Sequence, residues 1–492
     1  MVEKADAAFR KPLETAFHSA LSHLEKLGRN SVATSVDYSI LRSRLNRPLL
    51  DKGLPPEQVL VELANDVEGG VLGSAGGRFF AWAIGGSLPA ALAADWLTSA
   101  WDQNAALFAC GPAAAVVEEI VGGWLKEILG LPASASFALV TGCQMTYATC
   151  LAAARNALLA RHGWNAEEQG LYGAPPIRIL ASSAQHSSFG RAVRLLGLGL
   201  SQVVYLPVDS GDRLQPEALE RSLKADSSAP TIVLLQAGDI NIGTYDPFEA
   251  LIPIAKSHGA WVHIEGAFGL WVAASSRYKH LVNGIDAADS WATDGHKWLN
   301  VPYDCGYAFV ADVKAHRNAM SHRAVYLTHD AVARDQLDWN PEWSRRARGF
   351  ATYAALRQLG RNGIAALVER CCKHAHSLVT LIGSLPGAEI LWEPVINQGL
   401  VRFLDARPGT SDEDHDRRTD KMIAAIAATG EAFFSGTTWR GKRAMRVSVC
   451  NWQTSNEDVR RTVKAVARVL QETKKTEHCL PGRTGKCGDG AG

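Results

Sequence analysis

Apolar and polar residues alternate along the central part of the chain in a pattern that predicts strands separated by helices. Short runs rich in β-branched and aromatic residues lie between residues 136 and 310, and segments rich in good helix formers separate them. This alternation is typical of an α/β domain with a mainly parallel sheet. The predicted strands are SFALV, IRILA, VVYL, TIVLLQ, WVHI, DSWAT and GYAFV.

The pattern changes beyond this region. The segment RGFATYAALRQLGRNGIAALVERCCKHAHSLVTLIGSL predicts a long helical connection between two domains. After it, AEILWE, GLVRFL and MRVSVC predict strands, and DKMIAAIAATG predicts a helix. Thr454 and Glu457 have the spacing of a capping box that opens a last helix. These elements predict a smaller C-terminal α+β domain.

The N-terminus is charged and helix-patterned, and it lacks the basic-then-apolar layout of a secretory signal, so we expect a cytoplasmic protein. The most apolar stretch is FFAWAIGGSLPAALAADWL, which contains Gly85, Gly86, Pro89 and Asp95. These residues are unsuited to a membrane span, so the stretch predicts a buried segment or a subunit interface.

Charge and cysteine spacing exclude several classes of function. The 51 basic and 50 acidic residues leave a formal charge of +1, which argues against nucleic acid or an anionic membrane as partner. Of nine cysteines only Cys371 and Cys372 lie close together in the sequence. We therefore expect reduced thiols and no metal site. Gly197-Leu-Gly199 leads into a strand instead of a helix, which argues against a dinucleotide fingerprint.

The most informative segment is DSWATDGHKWLNVPYD, in which a predicted strand ends in a polar cluster around Lys297. Alone, a lysine at a strand end is usually part of an ordinary loop. Two other predicted strands also end in chemically useful groups. WVHIEGAFG delivers Glu265 at its carboxyl end, where α/β sheets bind ligands. ILASSAQHSSFGRA places His186 just after a strand, and an imidazole can stack on a flat ring or transfer protons.

A further segment, LVTGCQMTYATCLAAAR, runs from a strand through a short turn into a helix. Free N–H groups at a helix N-terminus bind anions, and Gly142 permits close approach of a ligand to the backbone. The turn is therefore a candidate phosphate site, although an ordinary βα turn has the same pattern.

Together these motifs resemble the group II pyridoxal phosphate (PLP)-dependent decarboxylases, the family of aromatic amino acid, histidine and glutamate decarboxylases. The resemblance runs from about Arg78 to Val469 and includes ACGPAAAVVEEIVGGWLKEILGLP, SRRARGFA and MRVSVCNWQTSNEDV. It implies fold type I, the aspartate aminotransferase fold, with a large mainly parallel seven-stranded sheet domain and a smaller C-terminal α+β domain. It also implies a homodimer with shared active sites.

The resemblance and the pattern together divide the chain into four parts. We expect an N-terminal helical segment exchanged between subunits (1–85), a large PLP-binding domain (86–345), a small C-terminal domain (346–473) and a disordered tail (474–492).

The resemblance implies three catalytic residues: Lys297 would carry PLP as a Schiff base, Glu265 would pair with the pyridine nitrogen, and His186 would stack on the ring. The expected cofactor-binding residues are Gly142, Cys143, Gln144, His186, Glu265, Ala267, Thr293, Asp294, His296 and Lys297. The expected substrate-binding residues are Arg446, which would hold a carboxylate, and Phe80, Trp82 and Trp101, with Arg78, Phe79 and Gln103 nearby. Arg446 is equally compatible with a solvated strand arginine, and the aromatic residues with core or interface packing.

Two departures from the family pattern bear on the reaction. The family's acid below the pyridine nitrogen is Asp, whereas this chain has the longer Glu265. The mobile loop that supplies a proton-donating Tyr in aromatic amino acid decarboxylases has none here from Leu327 to Arg348, and Tyr326 lies just before it. Decarboxylation of an L-amino acid to its amine, with a lean to aromatic or apolar side chains, is the first expectation. Transamination, aldehyde-forming oxidative deamination and a non-catalytic PLP-binding scaffold are the alternatives.

Overall fold

The computed structural model describes residues 2–322 and 333–478, with side chains described for residues 8–322 and 333–473. Tyr326 and residues 479–492 of the predicted tail lie outside the described residues. Residues 474–478, which the sequence assigns to that tail, continue the last helix.

The larger domain is built on a seven-stranded sheet with the order β1-β7-β6-β5-β4-β2-β3. Strand β7 is antiparallel to both of its neighbours, and the other neighbouring pairs are parallel. The strands are β1 (Ser136–Val140), β2 (Arg178–Ala181), β3 (Val203–Tyr205), β4 (Thr231–Gln236), β5 (Trp261–Glu265), β6 (Ser290–Asp294) and β7 (Gly306–Val310). All seven predicted strands are confirmed, as is the mainly parallel sheet.

Helices cover both faces of this sheet, so its central strands are buried along their whole length. Two apolar clusters, one on each face, form the core: one includes Val262 and Ile264 of β5, and the other includes Trp261 of the same strand. The helices up to the end of this domain are α1 (Val2–Lys26), α2 (Tyr38–Leu45), α3 (Pro56–Asp66), α4 (Pro89–Trp101), α5 (Pro112–Leu129), α6 (Cys143–Arg161), α7 (Ala166–Gln169), α8 (Ser187–Leu195), α9 (Pro216–Ala225), α10 (Phe248–Ser257) and α11 (Val313–Met320).

The predicted long helical connection is α12 (Gly349–Gly383), which leaves helical geometry at Gly360 (φ 60°, ψ 179°). It packs on α4 and α5 of the large domain and on β9 and α14 of the small one. The small domain has a four-stranded antiparallel sheet of order β10-β11-β9-β8. Its elements are β8 (Ala388–Trp392), β9 (Gln398–Phe403), α13 (Asp412–Ala428), β10 (Ser435–Trp439), β11 (Lys442–Ser448) and α14 (Asn456–His478).

Two details of the small domain differ from the sequence-based expectation. Strand β10 was not predicted, because SGTTW has little apolar character of its own and is held by pairing with β11. The capping box of α14 is shifted by one residue. Asp458 N–H donates to Ser455 Oγ, and Ser455 N–H donates to Asp458 Oδ2. Thr454 instead donates its hydroxyl to the carbonyl of Gly77, a tertiary contact that local spacing does not encode.

The N-terminal helices expose much apolar surface. On α1, Phe9 is 70% and Leu13 60% exposed, and Phe17 makes an edge contact with Trp96 of α4. Within the described residues, no helix combines the length and apolar character that a membrane crossing requires.

Candidate active site

Lys297 lies just beyond the carboxyl end of β6 and is largely buried, with its side chain 16% exposed. Its Nζ is 3.3 Å from Asp294 Oδ2 and 5.9 Å from the ring centroid of Phe268. Burial by itself lowers the pKa of Lys297, but the carboxylates of Asp294 and Glu265 outweigh this, so the net shift is upward. The lysine is thus an ammonium ion held by a buried acid.

Glu265 is the last residue of β5, and Ala292 of β6 lies beside it in the sheet. Its Oε1 accepts a hydrogen bond of 2.9 Å from the N–H of Ala267. Burial raises the pKa of Glu265 to about 7, against the opposing effects of that hydrogen bond and of Lys297. A second buried acid is therefore placed beside the lysine, poised between its neutral and charged forms near neutral pH.

The turn that precedes α6 packs directly against the segment that carries Lys297. Cys143 N–H, at the first position of α6, donates to Asp294 Oδ1 at 2.7 Å. A Cβ added to Gly142 would lie 2.9 Å from His296 Cε1, and one added to Gly306 would lie 2.5 Å from Gly142 Cα. Only glycine allows this close approach, so the backbone at the start of α6 forms a tight cradle beside the lysine.

His186 precedes α8 and caps it, because its Nδ1 accepts a hydrogen bond from the N–H of Ser188 at 3.2 Å. This contact leaves the proton of a neutral imidazole on Nε2. Burial lowers the pKa of His186, and the positive charges of Lys297 and Arg446 lower it further. Both cations therefore disfavour a positive charge on the imidazole, which is neutral near pH 7.

Arg446 lies on β11, at the boundary between the two domains, and is 7% exposed. Its Nη1 donates to the carbonyl of Ile240 at 3.0 Å, while its Nε is buried without a partner in the described part of the chain. Asp239, which the sequence analysis missed, is the nearby opposite charge that raises the pKa of Arg446, against the larger lowering effect of burial.

Asp239 follows β4 and is 2% exposed; its Oδ1 accepts the N–H groups of Asn241 and Ile242, both at 2.8 Å. Its Oδ2 is buried and has no partner among the described residues. Burial raises the pKa of Asp239 to about 6. The sequence contained a signal for Asp239. The predicted strand TIVLLQ is followed by Ala-Gly-Asp, so an acid lies near its end, as Glu265 does at the end of WVHI.

The other predicted cofactor-binding residues surround the same place. Ala267 packs with Cys143 and Ala292 in a small apolar cluster. His296 Nδ1 accepts the N–H of Cys305 at 3.1 Å, and its ring stacks on Tyr303 with centroids 4.3 Å apart. Thr293 and Asp294 end β6, and Gln144 lies in the first turn of α6.

The predicted substrate-binding aromatic residues differ in how deeply they are buried. Phe80 is fully buried and packs on Phe434, with centroids 5.3 Å apart, so it belongs to the core. Trp82 and Trp101 are each 49% exposed. The segment with Trp82 also approaches the lysine, since a Cβ on Gly85 would lie 1.9 Å from the Lys297 carbonyl oxygen.

The three residues named near them have mainly structural contacts. Arg78 is 2% exposed and donates to backbone carbonyls that include Glu431 and Asn30. Phe79 stacks on Phe433, with ring centroids 5.1 Å apart. Gln103 donates its side-chain amide to the carbonyl of Trp101. These contacts hold the segments around the site in place.

The residues around Lys297 suit PLP in charge and shape. Lys297 can react with an aldehyde once its ammonium group has lost a proton, and an acid with a pKa near 7 can face a ring nitrogen. Arg446 Nε and Asp239 Oδ2, which have no partner among the described residues, need polar partners. Among the described residues no cluster of three or more potential ligands could hold a metal ion.

The fold and site define an α/β protein with a buried lysine at the carboxyl edge of a mainly parallel sheet. The pyridoxal-dependent decarboxylase conserved domain matches residues 40–404, and the chain belongs to this family. It is a PLP-dependent lyase that decarboxylates an amino acid.

Individual relatives agree with this assignment. The chain is 23% identical over 467 residues to an aromatic-L-amino-acid decarboxylase of Bacillus atrophaeus, covering 94% of this chain and 95% of the relative. It is 27% identical over 421 residues to a phenylacetaldehyde synthase of Petunia hybrida, covering 80% and 81%. The crystal structure of Oryza sativa TDC with PLP and tryptamine superposes with a TM-score of 0.88 at 22% identity, covering 94% of this chain and 98% of that one. This likeness shows the fold.

Proposed function

We propose that the chain converts an L-amino acid with an aromatic or apolar side chain to its amine and carbon dioxide, with Lys297, Glu265 and His186 as the catalytic residues. The observation that carries the proposal is the buried Lys297 ammonium, which lies 3.3 Å from Asp294 Oδ2 and is also stabilised by the charge of Glu265. The lean towards an aromatic substrate is supported by the half-exposed Trp82 and Trp101 and by the names of the relatives.

In this proposal Lys297 binds the cofactor covalently and Glu265 pairs with its ring nitrogen. The imidazole of His186 and the methyl group of Ala267 would contact the ring. The turn formed by residues 142–144, with Thr293 and His296 beside it, would hold the phosphate, because glycine allows close approach there and helix N-termini favour anions. When bound, PLP withdraws electrons from the α-carbon of the substrate.

The protein's own contribution is orientation and proton transfer. Arg446 binds a substrate carboxylate with guanidinium N–H groups that the Ile240 carbonyl leaves free. His186 takes up a proton from water, gives it as the imidazolium to the α-carbon after carbon dioxide leaves, and so returns to the neutral ring. Holding the substrate in one orientation selects which bond at the α-carbon breaks.

We also propose a homodimer in the cytoplasm, with residues 1–85 packed against the partner subunit. The exposed Phe9 and Leu13 of α1 support it, because a monomer that exposes such a stripe leaves much apolar surface in water. The seven cysteines of the described part are free thiols, which is typical of a reducing compartment.

The proposal is tested by adding PLP to the purified chain and to Lys297→Ala. The absorption band at about 420 nm that is expected for lysine-bound PLP should appear only in the unmodified chain. Borohydride treatment followed by mass spectrometry should place the cofactor on Lys297. A panel of L-amino acids is then tested for carbon dioxide release. A coloured protein that releases none from any amino acid would contradict the proposed reaction, and a protein without the band would contradict the site.

A second candidate is an aldehyde-forming reaction, in which decarboxylation is coupled to oxidative deamination and dioxygen is reduced to hydrogen peroxide. It is favoured by the absence of Tyr from Leu327 to Arg348 and by the similarity to the Petunia hybrida phenylacetaldehyde synthase. Equal yields of aldehyde, ammonia, hydrogen peroxide and carbon dioxide would identify it, whereas amine and carbon dioxide alone would identify simple decarboxylation.

A further inference from the structure

Asp294 makes three close contacts in the candidate active site. Its Oδ1 accepts the N–H of Cys143 at 2.7 Å, and its Oδ2 is 3.3 Å from Lys297 Nζ and 3.6 Å from His296 Nε2. The residue is 2% exposed. A single buried carboxylate therefore accepts a hydrogen bond from the first N–H of α6 and also balances the charge of the lysine.

The position of this carboxylate conflicts with the proposed phosphate site. The phosphate of PLP is also an anion, and the group proposed to receive it is the same helix N-terminus. Two anions at one helix N-terminus repel each other, and the repulsion is strong where water is excluded. A Cβ on Gly306 would lie only 2.5 Å from Gly142 Cα, so the backbone has little room to move the two anions apart.

We propose that Asp294 competes with the cofactor's phosphate for the N-terminus of α6, so that this carboxylate stabilises the folded chain but weakens phosphate binding. The inference rests on the proposed phosphate site. Binding of the phosphate turns the carboxylate away from Cys143 N–H and leaves it with Lys297 and His296. Asp294 is then a positioning residue that sets cofactor affinity and takes no part in the chemistry.

The test replaces Asp294 by Asn, which keeps the shape and can still accept the Cys143 N–H but carries no charge. The probe is pyridoxine 5′-phosphate, which has the ring and phosphate of the cofactor but no aldehyde, so it does not bond to Lys297. Its affinity is measured by calorimetry on protein freed of cofactor, beside that of pyridoxine, which lacks the phosphate. Thermal unfolding is measured without either probe.

Two changes of opposite sign are expected in Asp294→Asn. The affinity for pyridoxine 5′-phosphate should rise roughly 10-fold, because the like charge is gone, while that for pyridoxine changes less than about 2-fold. The Tm without ligand should fall, because the buried pair with Lys297 is lost. If Asp294 only supported the fold, its replacement would lower both the affinity for pyridoxine 5′-phosphate and the Tm.

Asp289 offers a matched control at the start of the same strand. Its Oδ1 is 2.5 Å from Lys256 Nζ, and its Oδ2 accepts the N–H of Val262 at 2.8 Å, so it also joins a lysine to a backbone N–H. It lies at the opposite end of β6 from Lys297. Asp289→Asn should lower the Tm and leave the affinity for pyridoxine 5′-phosphate unchanged.

Three outcomes would overturn the inference. The first is an unchanged or weaker affinity of Asp294→Asn for pyridoxine 5′-phosphate. The second is an equal shift for both probes, which would mean that the phosphate is not the group concerned. The third is that the unmodified chain fails to bind the phosphorylated probe, and this outcome alone would also remove the proposed cofactor site. If Asp294→Asn does not fold, Asp294→Ser should show the same rise in affinity.

Discussion

The carboxylate of Glu265 and the backbone of Ala267 are joined by a hydrogen bond of 2.9 Å in the turn that follows β5. This contact holds one carboxylate oxygen on the protein backbone, at the strand end nearest Lys297. Burial nevertheless raises the pKa of Glu265 to about 7. Since the ordinary value is 4.5, the folded chain binds this proton more tightly than the unfolded chain does.

We expect Glu265→Gln to change how stability depends on pH. Because the folded-state pKa is raised, the proton on Glu265 favours folding fully below pH 4.5, and this advantage is lost as the pH rises to about 7. The loss is on the order of 3 kcal/mol, and the Gln variant does not undergo it. Urea unfolding of the cofactor-free proteins across this range measures the difference.

Asp239 and Asp246, whose pKa values are also raised to about 6, titrate in the same window. They are present in both proteins, so the comparison isolates Glu265. Parallel stability curves for the two proteins would contradict the expectation.

Arg446→Gln should weaken substrate binding. The guanidinium is proposed to hold a carboxylate, and losing a charged hydrogen bond of this kind raises KM by roughly 10- to 100-fold. Steady-state kinetics on the best amino acid of the panel measures this, and cofactor affinity should change little. Arg443 on the same strand is paired with Asp420 at 2.7 Å, so Arg443→Gln is the matched control and should leave KM unchanged. Equal effects of the two changes would refute the assigned role.

His186→Phe separates stacking from proton transfer. Phenylalanine keeps a flat ring but has no proton to give, so PLP affinity should be kept while kcat falls by roughly 100-fold or more. Absorbance titration with PLP and single-turnover kinetics measure the two effects. Ser188→Ala removes the hydroxyl beside Nδ1 and keeps the imidazole, and it should affect kcat far less. Loss of affinity with an unchanged kcat would assign the residue to stacking alone.

Gly306→Ala should reduce both stability and PLP affinity. Its new Cβ would lie 2.5 Å from Gly142 Cα, so either β7 or the start of α6 must move. Gly123 of α5 has no atom within 4 Å of such a Cβ, so Gly123→Ala should raise stability by about 0.5–1 kcal/mol through helix propensity. Thermal unfolding and PLP titration compare the two variants. Unchanged stability and PLP affinity in Gly306→Ala would show that the backbone at the start of α6 is less tightly packed than its geometry indicates.

Much of the fold could be read from periodicity. All seven strands of the large sheet were predicted because each is a short β-rich run, and burial on both faces makes such runs nearly continuous in apolar residues. Strand β10 was missed because its stability comes from pairing with β11, which local composition does not show. The cap of α14 was misplaced by one residue because Thr454 bonds to Gly77, distant in the chain.

The candidate site also has features that the sequence predicts and features that only the fold determines. The sequence by itself determined that Glu265 lies at the end of a strand and that Lys297 and His186 follow strands, because a strand end next to a polar residue is a local pattern. Only the tertiary structure decided that Asp294 reaches Cys143, 151 residues away, that Phe80 is buried in the core, and that Asp239 lies beside Arg446. These contacts depend on strand order and on how the two domains meet. Many sequences share one strand pattern, whereas the charge that each buried group feels is set by neighbours brought together only when the chain folds.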